Sequence, residues 1–326
     1  MAKMKLAFVG GGGIARYHYS HVEKWEDVEV VAVADVHEPT AKAFAERAGA
    51  SKVYADYHDM YKDGNFDALF ICVPPFAHEE QELLAAQLGI PFFVEKPPAL
   101  TMELAHKVAA EVAKNKVITA VGFQDRYQDI IDDLKKYMDG RGVGLAYGSW
   151  IGGMPGVPWW RRKEMSGGQH VEQTIHIFDT ARYLLGEVES VSAMASTGLM
   201  THVENYNVED ASAVTMKFKR GTVATIFSAC YVNGRGGKSG LELYFPDSRA
   251  EYSLRHAVKY FTKNEVREQI RGNDNGIDCD RAFIEAVKAK DQSKVRSPYA
   301  DAVKSLQIVL AATESLAEGG KVVKLG

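Results

Sequence analysis

The sequence of 326 residues has little cysteine, no long apolar run and no excess of one charge. Its three cysteines, Cys72, Cys230 and Cys279, are far apart and form no CxxC motif, which argues against a disulfide framework and against a zinc site. No apolar stretch approaches the roughly 18 residues of a membrane-spanning helix. The net charge of −4 offers no basic field to nucleic acid or anionic lipid. We therefore expect a cytoplasmic protein without metal, membrane or nucleic-acid partners.

The composition is that of an ordinary globular protein, with 46% hydrophobic and 25% charged residues, and the length fits about two domains. A strand-like segment begins at Leu6, within a few residues of Met1. This leaves no room for the apolar core of a signal peptide, so we expect the fold to start there. We find no internal repeat or low-complexity tract.

The first third of the chain alternates short apolar runs with helical segments. The runs are rich in Val, Ile and Phe with little alternation, as is typical of strands covered on both faces; they span 6–9, 28–34, 68–73, 92–94 and 117–121. Between them, residues 39–48 begin with proline and are followed by Gly49, the usual boundaries of a helix. This pattern predicts a Rossmann domain over residues 1–122, built on a doubly wound parallel sheet.

From about residue 123 the pattern changes to strands with one solvated face. Residues 214–219 alternate apolar and polar side chains before a turn at Arg220-Gly221, and further strand candidates span 145–151, 188–195, 223–227 and 241–245. We predict surface loops at 233–240 and 264–276, and Asp280 as a helix N-cap. Residues 123–326 are thus predicted to form an α+β domain with a largely antiparallel, open-faced sheet that carries helices. Because its own helices are not expected to cover the open face, we expect a homo-oligomer, dimer or tetramer.

A glycine loop lies between the first predicted strand and the first predicted helix. In residues 10–15 only one register fits G-x-G-x-x-G/A, with Gly10, Gly12 and Ala15 in the small positions. Such a loop lets backbone N–H groups and a helix N-terminus meet a pyrophosphate, although a bare glycine run can also be a flexible turn. Asp35, twenty residues beyond Ala15, can accept hydrogen bonds from ribose hydroxyls and would repel a 2′-phosphate. The alternative is that Asp35 is a helix-capping or surface acid. The combination favours NAD over NADP.

Two further segments contain candidate catalytic groups. Lys96, in Glu95-Lys96-Pro97-Pro98, follows a predicted strand at the sheet edge where ligands bind; a surface lysine is the alternative. In 167–186, predicted as one helix after a glycine pair, Glu172, His176, Asp179 and Tyr183 share one narrow stripe. That stripe either lines a site or faces water. A metal site at His170, Glu172 and His176 lacks any HExxH pattern.

These segments together resemble the glucose-fructose oxidoreductase/inositol dehydrogenase family, called Gfo/Idh/MocA, over nearly the whole chain. The Glu95-Lys96-Pro97 element and the segment from Gly167 to Asp179 are its specific parts. The other matches are 9–16, 67–75 with His78, 121–123 with 126–127, 160–161 and 209–210.

The resemblance implies site residues. Lys96 and His176 would line the reacting carbon, assisted by Glu172, which stands where the family usually has aspartate. Thr174 and Gln169 replace usual glycines, which alters the shape of the substrate site. The implied NAD-binding residues are Gly10, Gly12, Gly13, Ile14, Ala15, Asp35, Cys72, Pro74, His78, Glu95, Gln124 and Arg161. The implied substrate-binding residues are Lys96, Arg126, Tyr127, Trp160, Glu172 and His176; for Trp160, core packing is the alternative.

The expected reaction interconverts a secondary alcohol and a ketone on a sugar, polyol or inositol-like substrate, with hydride passing between substrate and NAD. One group must accept the hydroxyl proton and another must stabilise the oxyanion, and either Lys96 or His176 could take either role. Two alternatives are an NAD-binding sensor or repressor without turnover, and an NAD-dependent glycosidase. The sequence does not specify the sugar or the physiological direction.

Overall fold

The computed structural model describes residues 2–326. The strands are β1 (Met4–Val9), β2 (Val28–Ala34), β3 (Lys52–Tyr54), β4 (Ala68–Ile71), β5 (Phe92–Val94), β6 (Thr119–Val121), β7 (Leu145–Ile151), β8 (Val188–Ser196), β9 (Ala211–Phe218), β10 (Val223–Ala229), β11 (Lys238–Tyr244), β12 (Arg249–Ser253), β13 (Ala257–Phe261), β14 (Val266–Ile270) and β15 (Val323–Lys324). The helices are α1 (Gly13–Val22), α2 (Glu38–Ala48), α3 (Tyr57–Asp63), α4 (Gln81–Gln87), α5 (Met102–Asn115), α6 (Asp129–Met138), α7 (Lys163–Ser166), α8 (Gln169–Glu172), α9 (Ile175–Leu185), α10 (Asn275–Ala289) and α11 (Tyr299–Ala317).

The chain forms two compact units, and each is discontinuous in sequence. The first contains residues 1–124 and 274–303, and the second contains 125–273 and 304–326. The first boundary lies within two residues of the predicted one. Residues 274–303 differ from the prediction of two contiguous domains, because this segment returns to the first unit.

The first unit is built on a six-stranded sheet in the order β3-β2-β1-β4-β5-β6, and every neighbouring pair is parallel. Its central strands are buried on both faces: Leu6, Ala7, Phe8, Leu69 and Phe70 have no exposed surface. This explains why the strands appear in the sequence as unbroken apolar runs. The chain order reverses beside β1, and ligands bind beyond the carboxyl ends of strands at such a switch point. The predicted Rossmann sheet is confirmed.

The second unit contains a nine-stranded sheet in the order β14-β13-β12-β11-β7-β10-β9-β8-β15. Among the described strands of this second sheet, only β7 and β10 pair in parallel, and the other pairs are antiparallel. Along β10, the buried Ala224 and Ile226 alternate with the exposed Val223 and Phe227. One face is thus packed and the other is open, as predicted. No helix in residues 2–326 combines the length and hydropathy that a bilayer crossing needs.

Four local predictions were wrong. Residues 238–240 of the predicted loop 233–240 already belong to β11. Residues 264–276 are not all loop, because 266–270 form β14, an exposed edge strand whose polar side chains hide its pattern. Asp280 is not an N-cap: it lies inside α10, whose cap is Asp274, accepting from the N–H groups of Gly276 and Ile277. The single helix expected in 167–186 is divided into α8 and α9.

Candidate active site

The glycine loop of the first unit fits a pyrophosphate. Gly10 has φ +88°, and a Cβ there would lie 2.5 Å from the carbonyl oxygen of Cys72, so the close approach of two strand ends requires glycine. A Cβ on Gly12 or Gly13 would meet nothing within 4 Å. The space beside these glycines is therefore open, and the ten-residue helix α1 begins there at Gly13. Open space at a helix N-terminus suits a phosphate group.

Asp35 follows β2 and is fixed by the same loop. Its Oδ2 accepts from the N–H of Gly11 at 2.8 Å, and its Oδ1 accepts from the N–H of His37 at 2.8 Å. Each carboxylate oxygen keeps lone pairs for a ribose hydroxyl. Arg16, which the motif did not single out, donates to the carbonyl oxygen of Gly11 at 3.3 Å, so one cation does lie beside the loop.

The other predicted cofactor residues of this unit lie at or just after strand ends. Ile14 and Ala15 are in the first turn of α1, Cys72 and Pro74 follow β4, and Gln124 follows β6. His78 is buried, and its Nδ1 lies 2.6 Å from Glu82 Oε1. The side-chain oxygen of Gln124 accepts from Tyr17 at 2.9 Å and from Asn275 at 3.2 Å.

Lys96 lies two residues after the end of β5. The residue between them, Glu95, belongs to a buried group of ionisable side chains. The N–H of Lys96 donates to Glu95 Oε2 at 3.1 Å, and Glu95 Oε1 lies 2.9 Å from His18 Nε2. His18 Nδ1 lies 2.9 Å from Asp280 Oδ2, which lies 2.6 Å from His21 Nδ1. We call Glu95, His18, Asp280 and His21 the histidine–carboxylate chain.

Electrostatics within this chain favour a charged His18. Burial alone would lower the pKa of His18, but Asp280 and Glu95 outweigh it and raise the pKa to about 10. One ligand atom each from His18, His21 and Asp280 lies within 4.8 Å of the others; the direct hydrogen bonds account for this closeness. The histidine–carboxylate chain could not be predicted from the sequence, because Asp280 lies 262 residues from His18 and was predicted to be a helix cap.

His176 lies in the second unit, in the first turn of α9. Its side chain is buried, stacks on Trp150 with 5.8 Å between ring centroids, and places Nδ1 3.3 Å from Asp125 Oδ2. Asp125 also accepts from Arg255, Nε to Oδ1 at 2.7 Å and Nη2 to Oδ2 at 3.1 Å. Burial would raise the pKa of Asp125, but Arg255 and His176 hold it well below its usual range. Sequence analysis singled out neither Asp125 nor Arg255.

Glu172 ends α8 and is fixed by Trp160. The indole Nε1 of Trp160 donates to Glu172 Oε2 at 2.8 Å, and Trp160 is fully buried against Val208 and Cys230. We predicted that Trp160 contacts substrate; the structure places it in the core, so its observed contact with the site is through Glu172. Glu172 and His176 do not share one continuous helix: α8 ends at Glu172 and α9 begins at Ile175, and the N–H of Thr174 donates to the carbonyl oxygen of Gln169 rather than to that of His170.

Three further predicted residues of the second unit, Arg126, Tyr127 and Arg161, are buried or half-buried. Arg126 is buried and pairs with Asp179 through two hydrogen bonds, Nε to Oδ2 at 2.8 Å and Nη2 to Oδ1 at 2.6 Å. Tyr127 is buried, and its carbonyl oxygen accepts from Asn273 at 2.7 Å. Arg161 is half-buried, and its Nε has no hydrogen-bond partner among residues 2–326. Two residues of the predicted stripe, His176 and Asp179, are buried. These two side chains therefore do not face water.

The first unit thus brings together the glycine loop, Asp35, Cys72, Pro74, His78, Glu95, Lys96 and Gln124 along the carboxyl edge of one sheet. The second unit places His176 Nδ1 3.3 Å from the Asp125 carboxylate, to which Arg255 is hydrogen-bonded. The indole of Trp160 is hydrogen-bonded to Glu172.

Comparison with known proteins agrees with this geometry. Residues 4–123 match the Gfo/Idh/MocA oxidoreductase family with its NAD-binding Rossmann fold, and residues 143–247 match the C-terminal domain of the same family. Myo-inositol 2-dehydrogenase of Thermotoga maritima is 29% identical over 68% of this chain and 67% of its own length. D-glucoside 3-dehydrogenase of Escherichia coli is 28% identical over 99% of this chain and 97% of its own length.

A solved structure shows the same fold. The oxidoreductase from Agrobacterium radiobacter, crystallised with NAD+, L-tartaric acid and magnesium, superposes with a TM-score of 0.86 over 99% of this chain and 98% of its own, at 17% identity. The family matches, one within each unit, establish that the chain belongs to the Gfo/Idh/MocA family of NAD-dependent oxidoreductases.

Proposed function

We propose that this NAD-dependent dehydrogenase interconverts a secondary alcohol and a ketone on a sugar, polyol or inositol-like substrate. The proposal is supported by the names of two relatives, a myo-inositol 2-dehydrogenase and a D-glucoside 3-dehydrogenase. The observation that carries the proposal is the pairing of the buried His176 with the carboxylate of Asp125. A buried imidazole with an ionised partner is well suited to move a hydroxyl proton.

The cofactor would be held by residues of the first unit. Gly12 and Gly13 leave room for its pyrophosphate, and Asp35 would bind the adenosine ribose. When bound, NAD supplies the hydride acceptor for alcohol oxidation. Lys96 and His176 then provide what the protein must add, a proton acceptor for the hydroxyl group and a donor for the developing oxyanion. Glu172 would orient the substrate or one of these two groups.

NADH formation from a panel of inositols, aldoses and glycosides tests this function. Lys96→Ala and His176→Ala should each lower kcat at least about 100-fold while NAD still binds. The matched controls are Lys107→Ala and His58→Ala, which remove exposed side chains of the first unit. Near-normal turnover in both site variants would refute the catalytic roles.

The same assay separates the two alternatives. A protein that binds NAD but turns over no substrate would be a sensor, and one that releases an aglycone without net NADH would be a glycosidase. Either outcome would replace the dehydrogenase proposal.

We also propose that the open sheet face of the second unit binds a second copy of the chain. Val223 pairs with Leu145 across β10 and β7, and Val223, Leu145 and Phe227 are 42%, 51% and 42% exposed. Exposed apolar side chains that share the open face of a sheet are typical of subunit interfaces. Light scattering after size exclusion should give a mass above 35.9 kDa; a strictly monomeric mass would refute this proposal.

A further inference from the structure

We propose that Asp125 is the positioning carboxylate of His176 and that Arg255 holds Asp125 in place for that role. The inference rests on the proposed function, since it assigns a task to His176 in the reaction. It concerns a residue outside the family motifs identified above: the motif acid Glu172 is bound to the indole of Trp160, whereas the imidazole of His176 faces Asp125.

The surroundings of Asp125 favour one tautomer of the His176 imidazole. Asp125 Oδ1 accepts from Arg255 Nε at 2.7 Å and from Gln128 Nε2 at 3.2 Å, and Oδ2 accepts from Arg255 Nη2 at 3.1 Å. An ionised carboxylate can only accept hydrogen bonds. His176 Nδ1 lies 3.3 Å from Oδ2, so a neutral ring that pairs with this carboxylate holds its proton on Nδ1. Nε2 is then the basic nitrogen, and the ring is ready to take up a proton there.

Arg255 is placed for this task at some cost to the backbone. It lies between β12 and β13 at φ +55°, in the left-handed region that non-glycine residues avoid. The hydroxyl of Tyr252 accepts its N–H at 3.1 Å, and the same hydroxyl accepts from Gln128 Nε2 at 2.7 Å. A strained residue whose backbone and side chain are both bound to the group around Asp125 is typical of a site in which geometry matters.

The Asp125 carboxylate also affects the charged form of the ring. When His176 takes up a proton from the substrate hydroxyl, the imidazolium forms beside a buried anion that Arg255 keeps ionised. The proton moves from the hydroxyl oxygen to Nε2, and Asp125 stays unprotonated throughout. This arrangement stabilises the charge that develops during oxidation of the alcohol.

Asp125→Asn is the most informative variant. The guanidinium of Arg255 can only donate, so the Asn carbonyl oxygen should turn toward Arg255 and the amide N–H₂ toward His176. Nδ1 would then have to accept, and the proton would move to Nε2, the wrong nitrogen for a base. We expect kcat to fall at least about 100-fold, with KM and NAD affinity within about 3-fold of the wild type.

Nitrogen-15 NMR of labelled histidine tests the tautomer directly, with the His176 signals assigned by their loss in His176→Gln. The wild type should show the Nδ1–H form, and Asp125→Asn should show the Nε2–H form. Asp133→Asn is the matched control, because Asp133 is a carboxylate of the same unit bound by Lys136 and Gln269; it should alter neither kcat nor the tautomer. Arg255→Lys, which keeps the charge, should retain more activity than Arg255→Ala.

The outcomes separate the two proposals. An unchanged tautomer or near-normal kcat in Asp125→Asn, in a protein where His176→Ala is inactive, would overturn the role of Asp125 and leave the dehydrogenase proposal intact. An NAD-binding wild type without turnover on any substrate would overturn the proposed function, while the NMR result would still decide the pairing of Asp125 with His176.

Discussion

The histidine–carboxylate chain predicts a loss of stability in alkaline solution. The pKa of His18 rises from an ordinary 6.5 to about 10 in the folded protein. Because the native state holds this proton more tightly than the unfolded chain, its stabilising effect is complete below pH 6.5 and disappears as the pH rises toward 10. The free energy of unfolding should therefore decrease across this interval.

The size of the effect follows from the same numbers. Where the native protein keeps one proton that the unfolded chain releases, the free energy of unfolding falls by about 1.4 kcal/mol per pH unit. From pH 6.5 to about 10, the loss attributable to His18 reaches about 5 kcal/mol. That is comparable to the whole stability of many domains, roughly 5–15 kcal/mol.

Urea denaturation of the wild type and of His18→Gln between pH 6.5 and 9.5 measures this slope. His18→Gln should be less stable at pH 6.5, since it leaves Glu95 and Asp280 buried without a cation. Its stability should then fall less steeply with pH. Burial also raises the pKa of the Cys72 thiol, which adds an alkaline loss of its own, so the difference between the two proteins is the diagnostic quantity.

His106→Gln, which removes an exposed imidazole on α5, is the control and should reproduce the wild-type slope. If His18→Gln proves too unstable, an NMR titration of His18 in the wild type replaces it and should show a charged ring throughout pH 6.5–9. Parallel slopes in wild type and His18→Gln, or a ring that loses its proton below pH 8, would refute the reasoning.

Three further predictions concern the cofactor loop and Glu172. Gly10→Ala should cost several kcal/mol of stability, because its Cβ would lie 2.5 Å from a carbonyl oxygen. Gly12→Ala, with open space around its Cβ, should fold normally but bind NAD at least about 10-fold more weakly. An NAD affinity equal to that of the wild type in Gly12→Ala would contradict the role of this loop in binding the pyrophosphate. Asp35→Ser should weaken NAD binding about 10-fold and shift the preference toward NADP in a fluorescence titration, and an unchanged NADP/NAD ratio would show that the carboxylate does not select the cofactor. Trp160→Phe removes the N–H held 2.8 Å from Glu172 and should lower kcat about 10-fold with NAD binding unchanged; full kcat would show that this hydrogen bond does not matter.

The parallel strands of the first unit were predictable because burial on both faces leaves continuous apolar runs, and β2 and β5 occur at the predicted residues. β14 was missed because Arg267, Glu268 and Gln269 form a polar run between Val266 and Ile270, which removes the alternation on which a strand prediction depends. The two buried ionic groups were unpredictable for a different reason. Asp125 and Arg255 are 130 residues apart, and no spacing rule links residues that tertiary packing alone brings together.

Lys96 and His176 were found through motifs, whereas their supporting residues were not. A motif records residues close together in sequence, as in Glu95-Lys96-Pro97. Asp125, the partner of His176, lies 51 positions before it. The family resemblance pointed to its neighbours Arg126 and Tyr127 and not to Asp125. The motifs therefore predicted Lys96 and His176, which are expected to act on the substrate. They did not predict Asp125 and Arg255, which we propose to position His176.

The return of residues 274–303 to the first unit means that the dinucleotide-binding half is not encoded by one stretch of the gene. Gln292 exchanges two hydrogen bonds with the backbone of Thr119, and Ser297 exchanges two with that of Val121, so this segment covers the outer edge of β6. A fragment that stops at residue 124 would expose that edge for pairing with other chains and would lack Asp280 opposite His18. An autonomous fragment would need both pieces, joined by a short linker that bypasses the intervening unit.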